Sequence, residues 1–163
     1  SLYLDYSRSE SGQEPPTERA CNSLCDFDYV GTEDPTGNLV LPVAIAHLSA
    51  QHPGGLAGLQ KRNHDTVIAG TRLVTDAVGI EQPVPESMVA SMISLCLPVP
   101  EGGVPKGGMF DDALWDSLLL EHDIQAPCWG LAGVHPRLMR VSCQWHNTTA
   151  DFERLAGVLP GLL

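Results

Sequence analysis

The sequence predicts an α+β fold, a small sheet with helices packed on one face. From Leu56 to the end of the chain, helical and strand patterns follow one another in the order α-β-α-β-β-α. Before Leu56, a run of apolar residues predicts one long helix that is apolar nearly all round, which is typical of a buried helix. The length of 163 residues and the hydrophobic content of 43% are sufficient for one packed core.

The first two helices are predicted from apolar spacing and from the residues at their ends. One is expected over 36–50, with Asp34 as a cap-type side chain before it. Because few partners are available to it in a small domain, we expect one side of this helix to be uncovered in the chain on its own. The other is expected over 56–78 and is ended by Gly79, a residue suited to the left-handed cap position.

Strands and helices then alternate to the end of the chain. The expected ranges are 88–97, 124–128 and 137–143 for strands, and 110–122 and 148–159 for helices. The first of these strands shows little alternation, so we expect it to be covered on both faces. Asp151 lies three residues after Thr148, which is the spacing of a capping box.

Arg140 is the charged residue to which the strand pattern draws attention. Alternation places Met139, Val141 and Cys143 on a core face, and Leu138, Arg140 and Ser142 on the other. A charge in the middle of a strand is costly unless it is paired, and a guanidinium held on a strand suits bidentate capture of a carboxylate. The alternative is a structural salt bridge to one of the 20 acidic residues. His146 follows the same strand, at the position where a site would open.

The segment before the first helix is a second candidate site. Gly31 and Thr32 form a predicted tight loop in front of a helix N-terminus, an arrangement that suits a phosphate. The alternative is an ordinary capped helix entered through a turn. Glu33 and Asp34 favour that alternative, because carboxylates repel a bound anion.

Composition excludes several classes of partner. The formal net charge of -11 disfavours nucleic acid and anionic membrane surfaces, and no run of about 18 apolar residues predicts a membrane span. The five cysteines are scattered and odd in number, which favours reduced thiols and a cytoplasmic location, and they show no zinc-type spacing. The chain starts at Ser1 and its first methionine is Met88, so we expect a piece of a longer protein.

Self-contained catalytic motifs are absent from the sequence: it has no G-x-S-x-G, H-E-x-x-H or phosphate-binding G-x-x-x-x-G-K motif. Two longer segments are nevertheless recognisable together. They are Tyr-Val-Gly-Thr-Glu-Asp-Pro-Thr, beginning at Tyr29, and Leu-Met-Arg-Val-Ser-Cys-Gln-Trp-His-Asn, beginning at Leu138. With Glu86-Ser-Met and Leu119-Leu-Glu-His-Asp between them, they resemble the C-terminal part of a class V aminotransferase-family enzyme, in the branch of isopenicillin N epimerase and the cysteine-desulfurase-like proteins.

The resemblance implies a pyridoxal 5'-phosphate enzyme of fold type I that is a homodimer and acts on an amino-acid substrate. It implies that Gly31 and Thr32 reach the cofactor phosphate of the partner subunit, and that Arg140 holds the substrate α-carboxylate. His146 is a second candidate for substrate binding because of its position after the strand that carries Arg140. It also implies three regions: a loop-rich remnant of the junction with a large domain over 1–35, a connecting helix over 36–55, and the small α+β domain over 56–163.

The same resemblance predicts that this chain alone is not a catalyst. The cofactor needs a Schiff-base lysine, and neither Lys61, on a predicted surface helix, nor Lys106, in a Gly-rich loop, has the family's context. We therefore expect no catalytic residue in the chain. The reaction of the parent enzyme stays open between epimerisation, C–S lysis or desulfuration, and transamination. The alternative is a truncated, non-catalytic relative that acts as a dimerisation or interaction module.

Overall fold

The computed structural model describes residues 34–163. The chain divides between Ala44 and Ile45 into two compact units. The first described element is helix α1, Thr36–Ala50, which has the predicted bounds. Asp34 caps its entry, since its carboxylate accepts a hydrogen bond from the backbone N–H of Thr36 at 3.0 Å. Bonds from the Thr36 hydroxyl and N–H lower the pKa of this exposed carboxyl.

The prediction that α1 is a buried helix is wrong for this chain. None of its residues is buried, and Leu39 and Val43 are 72% and 70% exposed. The pattern was interpreted correctly as apolar all round, but such a helix is buried only where protein surrounds it. Residues 34–163 leave these side chains accessible.

Helix α2, Gly55–Val78, begins one residue earlier than predicted and ends as expected, with Gly79 in the left-handed conformation at φ 75°. Helix α4, Thr149–Val158, packs against it. The two helices approach so closely that a Cβ atom on Gly70 would lie 2.2 Å from the ring of Phe152. The predicted capping box of α4 is present, with both bonds between Thr148 and Asp151 formed.

The sheet has three antiparallel strands in the order β1-β3-β2. They are β1, Met92–Cys96; β2, Cys128–Leu131; and β3, His135–Ser142. Two strand predictions need correction. Residues 86–88 form a short 3-10 turn, and β1 buries alternate residues, so only one of its faces is covered. The strand expected over 124–128 starts only at Cys128, because Pro127 has no N–H for the ladder.

Helix α3, Ala113–His122, starts later than predicted because Asp112 caps it, accepting from the N–H of Leu114 at 2.9 Å. The order from α2 to α4 is therefore α-β-α-β-β-α, as predicted, and the α+β class is confirmed. One hydrophobic core lies between one face of the sheet and helices α2, α3 and α4. It includes Val67, Val74, Leu95, Leu118, Met139, Phe152 and Leu155. Within residues 34–163, no helix has the length and apolar character to cross a membrane.

Candidate functional site

Arg140 lies on the sheet face opposite the core, as the alternation predicts. It pairs with Ser94 across β1 and β3, and its side chain is exposed while its neighbours Met139 and Val141 are buried. The guanidinium stays in contact with solvent, so the cost of burying an unpaired charge in a strand does not arise. Within residues 34–163, the ion pairs are made by other residues, and no carboxylate pairs with Arg140.

The aromatic ring of Trp129 is the neighbour of the Arg140 guanidinium. The carbon Cζ of Arg140 lies 6.0 Å from the centroid of the ring. Trp129 is on β2, directly opposite Leu138, so it is the diagonal neighbour of Arg140 on the same face of the sheet. The distance is at the outer limit of a cation–π contact.

A cleft of about 220 Å³ opens beside Arg140. It lies where the end of β3, the segment before β2 and helix α4 meet, and its walls also include Arg154 and Asp151. Both of these charges are engaged: Asp151 accepts from the N–H of Thr148 at 2.8 Å, and Arg154 donates to the carbonyl of His122. Arg140 is thus the cleft guanidinium that makes no side-chain hydrogen bond within the described part of the chain.

The turn that follows β3 is fastened to helix α2. Arg62 donates to the carbonyl of Gln144 at 2.8 Å and to that of Asn147. Asn63, which is buried, donates to the side chain of Gln144 at 2.8 Å. This network fixes the conformation of the segment that carries His146.

His146 itself is exposed and meets the ring of Trp145 edge-on, with centroids 5.9 Å apart. It is not among the residues that line the cleft beside Arg140. The structure therefore places the two predicted substrate-binding residues on one strand and its following turn, without bringing them into one cavity. Their roles stay predictions.

Both lysines among the described residues are exposed. Lys61 is exposed on α2 and pairs with Asp65 at 2.6 Å, and Lys106 is exposed in its loop. Neither amine is among the residues that line the cleft beside Arg140. Gly31 and Thr32, predicted to reach the cofactor phosphate, lie outside the described residues. What residues 34–163 offer beside the cleft is an exposed guanidinium with no carboxylate partner among them.

Two of the three described thiols, those of Cys128 and Cys143, are buried, and Cys96 is half-buried. Cys143 is buried, which confirms its interpretation as core. Burial raises its pKa, and burial together with the charge of Asp112 raises the pKa of Cys128 to about 12, so both are neutral thiols at pH 7. No group of three metal-ligating side chains occurs within residues 34–163.

The buried ion pair of Arg137 and Asp112 was not predicted from the sequence. Arg137 donates to Asp112 through two bonds of 2.8 and 2.9 Å, and these side chains are 3% and 2% exposed. The signal was available, since Arg137 shares the alternation of Met139 and so belongs on the core face. Arg62 gave no signal of this kind, because its partners lie more than 80 residues away in the chain.

Comparison with known proteins gives relatives of one kind. No protein-family model matches the chain. It is 30% identical over 144 residues to "Probable L-cysteine desulfhydrase, chloroplastic" of Arabidopsis thaliana, and 25% identical over 150 residues to "L-cysteine desulfhydrase" of the same plant. The matches cover 85% and 83% of this chain but only 30% and 32% of the two relatives, so the chain spans about a third of their length.

Proposed function

We propose that the chain is the C-terminal part of a pyridoxal 5'-phosphate-dependent C–S lyase that acts on L-cysteine or a closely related amino acid. In this proposal Arg140 binds the α-carboxylate of the substrate. The observation that carries it is the exposed guanidinium beside a cleft, with no acidic partner in residues 34–163. The desulfhydrase names of the relatives favour C–S lysis over epimerisation or transamination.

The chemistry of the arginine suits this role. A guanidinium binds a carboxylate through two parallel N–H···O bonds, which fix the orientation of the amino acid as well as its position. Strand β3 holds the Cα of Arg140 in place, since the residue lies between two paired strands and its own N–H bonds to the carbonyl of Pro127 at 2.9 Å. A rigid strand positions a binding residue better than a loop does.

The other parts of the proposal concern the whole protein. Gly31 and Thr32 are proposed to contact the cofactor phosphate, and the Schiff-base lysine is proposed to come from outside this chain, so the chain is not competent alone. Homodimerisation is supported by the exposed apolar side chains of α1, including Leu39 and Val43. A cytoplasmic location stays a prediction, and one relative carries the word chloroplastic in its name.

The test is Arg140→Lys in the full-length gene product, assayed by sulfide release from L-cysteine. Lysine keeps the charge but cannot make two parallel bonds, and losing a charge-assisted contact of this kind costs about 1.5–3 kcal/mol. We therefore expect kcat/KM to fall roughly tenfold to a hundredfold while the melting temperature changes little. Arg72→Lys is the matched control, because Arg72 is an exposed arginine paired with Glu86. An Arg140→Lys protein that melts lower but turns over normally would show that Arg140 is only structural.

A further inference from the structure

The open face of the sheet presents Arg140 together with one aromatic ring. Trp129 is half-buried and is held by the pairing of β2 with β3, whereas the Arg140 side chain extends into solvent. The ring centroid is 6.0 Å from Cζ of the guanidinium. The ring is therefore the better fixed of the two groups, and the arginine is the one that gains order from the contact.

A ring contact and a carboxylate contact use different parts of a guanidinium. The flat face of the group interacts with the π-system, while the five N–H bonds point outward in its plane. An acidic partner would occupy that edge and compete with a substrate carboxylate, but a tryptophan leaves it available. Within residues 34–163, Cζ of Arg140 lies over the Trp129 ring and no carboxylate pairs with its N–H groups.

We propose that Trp129 is a positioning residue for Arg140, holding the guanidinium over the sheet so that its N–H edge is presented to the substrate carboxylate. The inference rests on the proposed function, in which Arg140 binds that carboxylate. Its physical basis is preorganisation: an exposed arginine has many rotamers, and restricting them before binding reduces the entropy lost on binding. Trp129 does not contact the substrate in this arrangement, so it affects substrate binding only through Arg140.

The first experiment replaces Trp129 with leucine and, separately, with phenylalanine in the full-length gene product. Trp129→Leu keeps apolar bulk but removes the π-system, and Trp129→Phe keeps a ring. We expect Trp129→Leu to raise KM for L-cysteine about two- to fivefold with kcat unchanged, as an exposed cation–π contact predicts, and Trp129→Phe to restore most of the loss. Leu131→Ala, an exposed position on the same strand, is the control and should leave KM unchanged. A Trp129→Leu protein with unaltered KM overturns the inference.

A double-mutant cycle with Arg140→Met tests whether Trp129 changes KM through Arg140. If Trp129 acts through Arg140, Trp129→Leu raises KM in the wild-type background and changes nothing further in the Arg140→Met background. If Trp129→Leu raises KM by the same factor in both backgrounds, Trp129 does not act through Arg140 and the positioning inference is wrong, while the proposed function stands. If Arg140→Met alone leaves KM at the wild-type value, the proposed function fails, and the inference fails with it.

Discussion

Replacing Arg137 with methionine should destabilise the fold far more than the same replacement at Arg140, three positions further along β3. The Arg137 guanidinium donates to both carboxylate oxygens of Asp112, at 2.8 and 2.9 Å, and is also 3.4 Å from the carbonyl of Pro98. Asp112 in turn caps α3 through the N–H of Leu114. The pair therefore fastens the start of a helix to the middle of the sheet.

The expected magnitude follows from burial. With the Arg137 and Asp112 side chains 3% and 2% exposed, removing one partner leaves the other as a buried, unpaired charge, which costs about 3–5 kcal/mol. In a chain of 163 residues, each kcal/mol lowers the melting temperature by roughly 2–4 °C, so Arg137→Met should lower it by about 6–20 °C. Arg140 is exposed and has only the ring contact to lose, so Arg140→Met should cost no more than about 1 kcal/mol.

Thermal unfolding followed by circular dichroism measures both substitutions on the same chain. Asp112→Asn completes the experiment, because it keeps an oxygen for the N–H of Leu114 while removing the charge that pairs with Arg137. Each single variant should be strongly destabilised, and the Arg137→Met/Asp112→Asn double variant should be no less stable than either, since the penalty lies in the unpaired charge. Equal destabilisation by Arg137→Met and Arg140→Met, or additive losses in the double variant, would refute the reasoning.

Two further predictions concern packing and protonation. Gly70→Ala should lower the free energy of unfolding by about 1–3 kcal/mol, because the added Cβ would meet the buried ring of Phe152. Gly157→Ala on α4 should raise it by about 1 kcal/mol, because nothing lies within 4 Å of the added Cβ and alanine favours a helix more than glycine does. Urea unfolding of both variants tests this. Burial in the fold raises the pKa of Cys128 from its ordinary value of 9.0 to about 12. The stability that depends on the neutral thiol is therefore fully present below pH 9.0 and is lost as the pH rises towards about 12. Stability should therefore fall between these pH values more in the wild type than in Cys128→Ala, as alkaline denaturation would measure.

Local signals in the sequence were sufficient for most of the fold. Gly79 and Thr148 mark helix ends by their own chemistry, through left-handed backbone geometry and side-chain capping, and the structure has both ends as expected. Predictions were less accurate where an end depends on what a segment meets in space. Met88 is apolar and was expected to begin the first strand, but it is 73% exposed in a 3-10 turn, because β1 begins only where β3 is available to pair with it.

The site was predictable in one respect and not in another. Alternation along β3 placed Arg140 on the open face, because side-chain direction in a strand depends only on sequence parity. Its neighbour Trp129 was not predictable, since the contact depends on the register between β2 and β3 and on the irregularity after Trp129. Likewise, Arg62 reaches the turn at Gln144 only because α2 and the end of β3 are adjacent in the folded chain.

The buried ion pair and the exposed arginine are linked through the register of β3. Arg137 and Arg140 are an odd number of residues apart, so they must point to opposite faces of the sheet. A slip of one residue would move Arg137 away from Asp112 and turn Arg140 into the core, where it would need a partner. The bidentate pair at Arg137 therefore does more than stabilise the fold, because it penalises register slips by an odd number of residues, which would remove Arg140 from the open face. Under the proposed function, a buried residue thereby helps to determine which side of the sheet presents a guanidinium to the substrate.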